Sequence, residues 1–197
     1  KFVGVGSVCE YPADAQVPFK EESLWDGYPV ITNDAYGLTK RMLLAQCTAY
    51  NKQHNFQFIH LLPVNLYGPG DDFDTNNSHV IPAIIKKVVY AMDHGEEVVE
   101  IWGTGNESRE FVYVEDAAEA VVFASEKYEK PYPVNIGSGA EIIIRNLANT
   151  IGSILQFKGN FVFLNNGLGG QHRRLLDVSK AKEEFGFIAK TSLHDGL

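Results

Sequence analysis

Short apolar runs rich in β-branched residues alternate along this chain with longer stretches of helical period. Phe2 to Val8 is β-branched and punctuated by glycine, the pattern of a strand buried on both faces of a parallel sheet. Cys9 to Asp34 is a long connection carrying Pro12, Pro18 and Pro29, and its length marks a functional loop. Thr32-Asn33-Asp34 is an N-cap cluster. It opens a helix over Tyr36 to His54, with Leu38, Met42, Ala45 and Ala49 on one face and Leu43, Leu44, Cys47 and Tyr50 widening it. So broad an apolar surface predicts burial on two sides, against the sheet and against a second subunit. Phe56 to Val64 is the next strand, and His60 within it reads as a core histidine with a backbone partner. A turn-rich loop follows through Gly70. Ser78 is a good N-cap for a helix from His79 to about Asp93, with Pro82 in its first turn and Gly95 as its stop. Glu97 to Trp102, Arg109 to Val114, Pro133 to Ile136 and Asn160 to Leu164 read as strands. Asp116 to about Tyr128, Ile143 to Phe157, and a last segment capped by Asp177 or Ser179 and ending at Phe185 read as helices. The alternation is that of an α/β protein.

Composition narrows the class. The 197 residues suit one domain or slightly more, and 45% hydrophobic content supplies a packed core. A net charge of −8 with no basic stripe argues against nucleic acid as a partner. Two cysteines without a Cys-x-x-Cys, and no His/Cys cluster, predict a reduced, cytoplasmic protein with no metal site. No apolar run is long enough for a membrane span, and the N-terminus lacks the apolar region of a signal peptide.

The chemistry-bearing candidates lie far apart in the chain. Tyr36 and Lys40 share one helix face, and an ammonium beside a phenol pulls its pKa down from about 10. A tyrosine so tuned passes protons to and from a carbonyl oxygen. A surface lysine over a half-buried tyrosine gives the same spacing. Cys9 is a candidate acid or a buried structural thiol, and His79 a candidate base or a cap. Lys86 and Lys87 suit a phosphate or a solvated face. No Gly-x-Gly-x-x-Gly occurs, and Gly4-Val5-Gly6 falls inside a strand.

Together these residues make the chain resemble the extended short-chain dehydrogenase/reductase family, across essentially its whole length. The carriers are Gly6-Ser7-Val8-Cys9-Glu10-Tyr11-Pro12, Tyr36-Gly37-Leu38-Thr39-Lys40, Pro63-Val64-Asn65-Leu66-Tyr67-Gly68-Pro69, Asn77-Ser78-His79-Val80-Ile81-Pro82, Trp102-Gly103-Thr104-Gly105, Arg109-Glu110-Phe111 and Arg173-Arg174-Leu175-Leu176-Asp177. Ser7 with Tyr36-x-x-x-Lys40 marks only the superfamily, whereas Cys9 after Ser7, with Asn77-Ser78-His79-Val80-Ile81-Pro82, is far more specific to the fucose-synthase-like branch. The resemblance implies the C-terminal part of a Rossmann-type doubly wound parallel sheet over residues 1–66. Residues 67–197 would form mainly a smaller α/β substrate domain, with some segments returning to the sheet.

It also implies C3/C5 epimerisation and C4 reduction of GDP-4-keto-6-deoxy-mannose to GDP-L-fucose with NADP(H) or NAD(H), no metal, and a homodimer. Ser7, Cys9, Tyr36, Lys40 and His79 would be catalytic. Val5, Gly6, Ser7, Val8, Tyr36, Lys40, Pro63, Val64, Asn65, Leu66 and His79 would meet the cofactor. Lys87, Trp102 and Arg109 would hold the nucleotide sugar. Gly169-Gly170 stands where the family carries Asp-Gly, and His172 where Pro is common, so GDP against UDP or dTDP stays open. So do a 4-epimerase or 4,6-dehydratase, and a non-catalytic half that binds a nucleotide sugar or caps a partner. The glycine-rich loop and first strands are absent, which at about 30 residues per βαβ unit is roughly a hundred residues. The expectation is a fragment without turnover of its own.

Overall fold

The computed structural model describes residues 1–74, 78–165 and 171–197; Asn77, Gly169 and Gly170 lie outside them. Along the chain, β1 (Phe2–Val5) leads through a 3₁₀ turn at Val8–Glu10 and a long connection to α1 (Asp34–His54), β2 (Phe58–Pro63) and β3 (Asn65–Tyr67). Then follow α2 (Val80–His94), β4 (Val98–Trp102), β5 (Ser108–Tyr113), α3 (Val114–Lys127) and β6 (Pro133–Ile136). The chain ends with β7 (Glu141–Ile143), α4 (Ile144–Ile154), β8 (Asn160–Leu164), α5 (Ser179–Phe185) and α6 (Leu193–Gly196).

The described residues form three sheets: β1-β2-β6, all parallel; β3-β5-β7, in which β7 runs antiparallel; and a parallel β4-β8 pair. The middle strand β2 is buried from Phe58 to Leu62, which is why it reads as an uninterrupted apolar run. Its residues alternate between faces. Phe58 and Leu62 pack with Leu44 and Cys47 of α1, while Ile59 and Leu61 pack with Ala120 and Ala124 of α3 and Phe185 of α5. Helices therefore cover both faces of this sheet. A second core joins Ile84, Val88 and Ala91 of α2 to Leu147 and Ile151 of α4 and to Val99 and Ile101 of β4.

Two buried polar residues clip the C-terminal segment to this frame. The Glu110 carboxylate accepts the Gly139 and Leu176 backbone N–H groups, each at 2.7 Å. Asn135 accepts the Tyr11 hydroxyl at 2.7 Å and donates to the carbonyls of Phe19 and Asp177.

Several expectations need correction. The first strand stops at Val5, because Ser7 turns the chain into a capped 3₁₀ turn. The α1 face with Leu38, Met42, Ala45 and Ala49 is exposed; the buried face is Gly37, Arg41, Leu44 and Cys47. Helical period alone does not say which of two apolar stripes meets the sheet. His60 has a carboxylate partner, Glu10, and not a backbone one. Residues 65–67 form a strand on β5 instead of a loop. The cap of α2 is His79, with no side-chain bond, in place of Ser78. Helix α4 starts after the short strand β7 and ends earlier than Phe157.

Candidate active site

Ser7 follows β1 at the C-terminal edge of the parallel sheet. Its extended backbone and its side chain cap the 3₁₀ turn, so its Oγ accepts the Cys9 N–H at 3.2 Å. That bond uses a lone pair and leaves the hydroxyl proton free to donate. The first turns of α1 lie directly on this turn: a Cβ at Gly37 would sit 2.3 Å from the Cys9 carbonyl oxygen. Glycine at 37 is thus a condition of the packing. Tyr36, beside it, is half exposed, and Lys40 Nζ lies 5.6 Å from its ring centroid. The same ammonium donates to the Val5 carbonyl at 2.8 Å, which ties α1 to the end of β1. Hydroxyl, thiol, phenol and ammonium therefore belong to one backbone unit.

Gly37→Ala is expected to cost about 1–2 kcal/mol in urea unfolding, since overpacking against a backbone oxygen outweighs the roughly 1 kcal/mol helix-propensity gain. A variant as stable as the parent would show that the two segments can separate freely.

An arginine and an asparagine reach the same thiol. Arg174, 8% exposed, places Nη1 3.9 Å from Cys9 Sγ, and Asn33 Nδ2 lies at the same distance. Arg109 is half-buried and bonds the Ser108 carbonyl at 2.6 Å. Burial first, and the Arg174 charge second, push its pKa down to about 10, with Glu107 and Cys9 acting in the opposite direction. Arg173, by contrast, is spent on Glu141. Two guanidiniums close together without a carboxylate in ion-pair reach among the described residues suit a diphosphate.

The remaining candidates fall into separate groups. Lys87 Nζ bonds the Glu100 carbonyl at 2.8 Å and lies 5.3 Å from the Trp102 ring centroid, with Trp102 74% exposed. Lys86 instead reaches the Phe73 carbonyl. Both line a groove of about 480 Å³ between α2 and β4. His79 opens α2, is exposed, and has Nδ1 3.9 Å from Asp71 Oδ1. No described contact joins it to Cys9.

Val5 ends β1 and Gly6 and Val8 follow it, while Pro63 ends β2 and Val64 leads into Asn65 and Leu66 of β3, so both sets lie at the C-terminal ends of neighbouring parallel strands. The side chains of Val8 and Val64 are core members, the Val64 N–H donates to the Ile136 carbonyl, and the Val8 carbonyl accepts the Tyr11 N–H. Among the described residues no group of three or more candidate ligands could hold a metal.

A family model described as NAD dependent epimerase/dehydratase matches residues 1–137. The chain belongs to that family. Within it, the chain is 40% identical over 197 residues to "Probable GDP-L-fucose synthase 1" of Oryza sativa subsp. japonica, covering all of this chain and 60% of the rice protein. It is 41% identical to a GDP-L-fucose synthase of Sinorhizobium fredii, covering 62% of that protein. A solved GDP-L-fucose synthetase from Naegleria fowleri bound to NADP superposes with a TM-score of 0.92 at 28% identity, over 98% of this chain and 62% of the other. The chain thus spans about three fifths of the length of these relatives.

Sequence reasoning about the epimerase/dehydratase pattern gave no site role to Glu10, Asn33 or Arg174 and did not single out Arg41. Glu10 has a local signal, since Ser7-Val8-Cys9-Glu10 spells a capping box. Arg41 is buried on α1 and bonds the carbonyls of Glu10 and Gly27. Asn33 and Arg174 meet Cys9 only through tertiary packing, which no spacing encodes.

Proposed function

We propose that this chain carries the proton-transfer and sugar-nucleotide groups of a GDP-sugar epimerase/reductase acting on a 4-keto-6-deoxy sugar. The observation that carries the reading is the Gly37–Cys9 backbone contact, which holds the Ser7–Cys9 turn against the Tyr36–Lys40 helix turn. A ketone at C4 makes the C3 and C5 protons acidic. Cys9 and His79 serve as acid and base on the two faces of the sugar. Ser7 and Tyr36 donate to the C4 oxygen, and Tyr36 gives up its proton there, assisted by the Lys40 charge. Arg109, with Lys87 and Trp102, takes the GDP part.

Nicotinamide chemistry supplies the hydride at C4. This chain's residues fit that end of the cofactor: Lys40 stands at the close of β1, and Val5 and Leu66 leave exposed apolar surface on the same edge. In the same reading, residues 1–66 belong to the cofactor side and 67–197 mainly to the sugar side, with β6 and α5 returning to the first sheet. The protein works in the cytoplasm as a homodimer, and the exposed α1 stripe of Leu38 and Met42 supports that pairing.

The deciding experiment joins this chain to a glycine-rich dinucleotide-binding segment and supplies GDP-4-keto-6-deoxy-mannose in deuterated water. Deuterium at both C3 and C5 is the expected result. A product without it points to a 4-epimerase and ends the proposal. The 197-residue chain by itself contains no glycine-rich phosphate loop. Calorimetry is expected to show no saturable NADPH binding below about 1 mM, because the pyrophosphate lacks its loop and helix N-terminus. Micromolar NADPH binding would contradict this.

A further inference from the structure

Glu10 and His60 are both wholly buried, with His60 Nε2 3.1 and 3.3 Å from the two carboxylate oxygens. The proposed chemistry uses neither. The nearer oxygen, Glu10 Oε1, also accepts the Ser7 N–H at 2.9 Å. Ser7 Oγ in turn accepts the Cys9 N–H. A continuous path of hydrogen bonds thus runs from the middle strand of the parallel sheet to the thiol-bearing turn. Gly6 makes room for it: a Cβ there would lie 2.2 Å from Glu10 Oε1 and 2.5 Å from His60 Nε2. Arg41, the cation facing this turn from α1, spends its Nε on the Glu10 carbonyl at 2.6 Å.

The second ring nitrogen, His60 Nδ1, is buried without a partner. A proton on Nε2 leaves only a lone pair orphaned there. A proton on Nδ1 would orphan a donor and set two acceptors against each other at Nε2. Burying such a pair brings little stability over apolar side chains of the same size, so its return is placement.

We propose that Glu10 and His60 are positioning residues: the His60 Nε2–H pins the Glu10 carboxylate, which holds the Ser7 backbone and thereby the Ser7–Cys9 turn. The proposal rests on reading Ser7 and Cys9 as catalytic groups, and adds what aims them.

The test uses the 197-residue chain and needs no turnover, so its outcome is separate from that of the deuterium experiment. Nitrogen-15 spectra of His60 are expected to show the proton on Nε2. Glu10→Leu is expected to speed Ser7 amide exchange roughly tenfold or more, the usual scale for losing a bond to a charged acceptor. It should also raise iodoacetamide alkylation of Cys9, read by peptide mass so that Cys47 is scored apart. Glu10→Gln keeps an oxygen in place for both donors and should stay within about twofold of the parent on both readouts. A proton on Nδ1 overturns the proposal. So does a folded Glu10→Leu with parental exchange and alkylation, or a Glu10→Gln as disturbed as Glu10→Leu. If Glu10→Leu fails to fold, the His60 spectrum and Glu10→Gln decide.

Discussion

Replacing Tyr36 by Phe, in this chain joined to a dinucleotide-binding segment, is expected to slow NADPH oxidation by about a thousandfold while deuterium still enters C3 and C5. The first effect follows because hydride addition leaves a charge on the C4 oxygen that only a positioned acid can quench, a contribution of roughly 10²–10⁴. The second follows because carbon-bound protons leave while the ketone is intact, and Ser7, Cys9 and His79 remain. Exchange slows far less, since Tyr36 is only one of two donors to that oxygen. Absorbance at the nicotinamide band reads the first quantity and product mass the second. Parallel loss of both would remove the division of labour between the phenol and the thiol–imidazole pair.

The largest loss of stability is expected from Glu110→Ala. Glu110 is fully buried, and its two oxygens accept the Gly139 and Leu176 N–H groups. Truncation orphans both donors at roughly 1–3 kcal/mol each and opens a cavity, about 4 kcal/mol in all. Urea unfolding reads this directly, and a loss below about 1 kcal/mol would mean that the donors find other acceptors.

The pH dependence carries a sign. Burial, the leading cause, raises the Glu110 pKa above its ordinary 4.5, against hydrogen bonds that lower it. The folded state therefore holds that proton more tightly than the unfolded chain. The associated stability is fully present below pH 4.5 and is lost as pH rises through the raised value. Glu21, also raised by burial, acts in the same direction. Asp177, Glu107 and Glu141 are lowered, so their contributions are lost as pH falls, in a different window. From pH 5 upward, Glu110→Ala should show a flatter decline than the parent.

Strand and helix order was legible because β2 is buried on both faces and α2 ends on a left-handed glycine, and each leaves a local mark. The outward stripe of α1 was misread, because Leu38 and Met42 are as apolar as Leu44 and Cys47. What separates the two stripes is the buried Arg41 and Gly37, whose partners lie in the Cys9–Gly27 connection. Tyr36 and Lys40 could be named from spacing, and Ser7 from the family resemblance. Their mutual placement could not, since it depends on a missing Cβ and on a lysine reaching back to Val5. His60 inside an apolar strand looked like packing, and its carboxylate is 50 positions away along the chain.

Main chain meeting main chain at Gly37 has a consequence for how such a protein changes its diet. Main-chain packing sets the spacing of the two segments, and the Glu10 and Lys40 side chains bond the Ser7 N–H and the Val5 carbonyl beside it. Arg109, Lys87 and Trp102, proposed to take the GDP part, sit on other elements, where exchange of one cation or ring would re-sort which nucleotide is admitted. A change of nucleotide preference would then proceed on those elements, away from the Gly37–Cys9 contact.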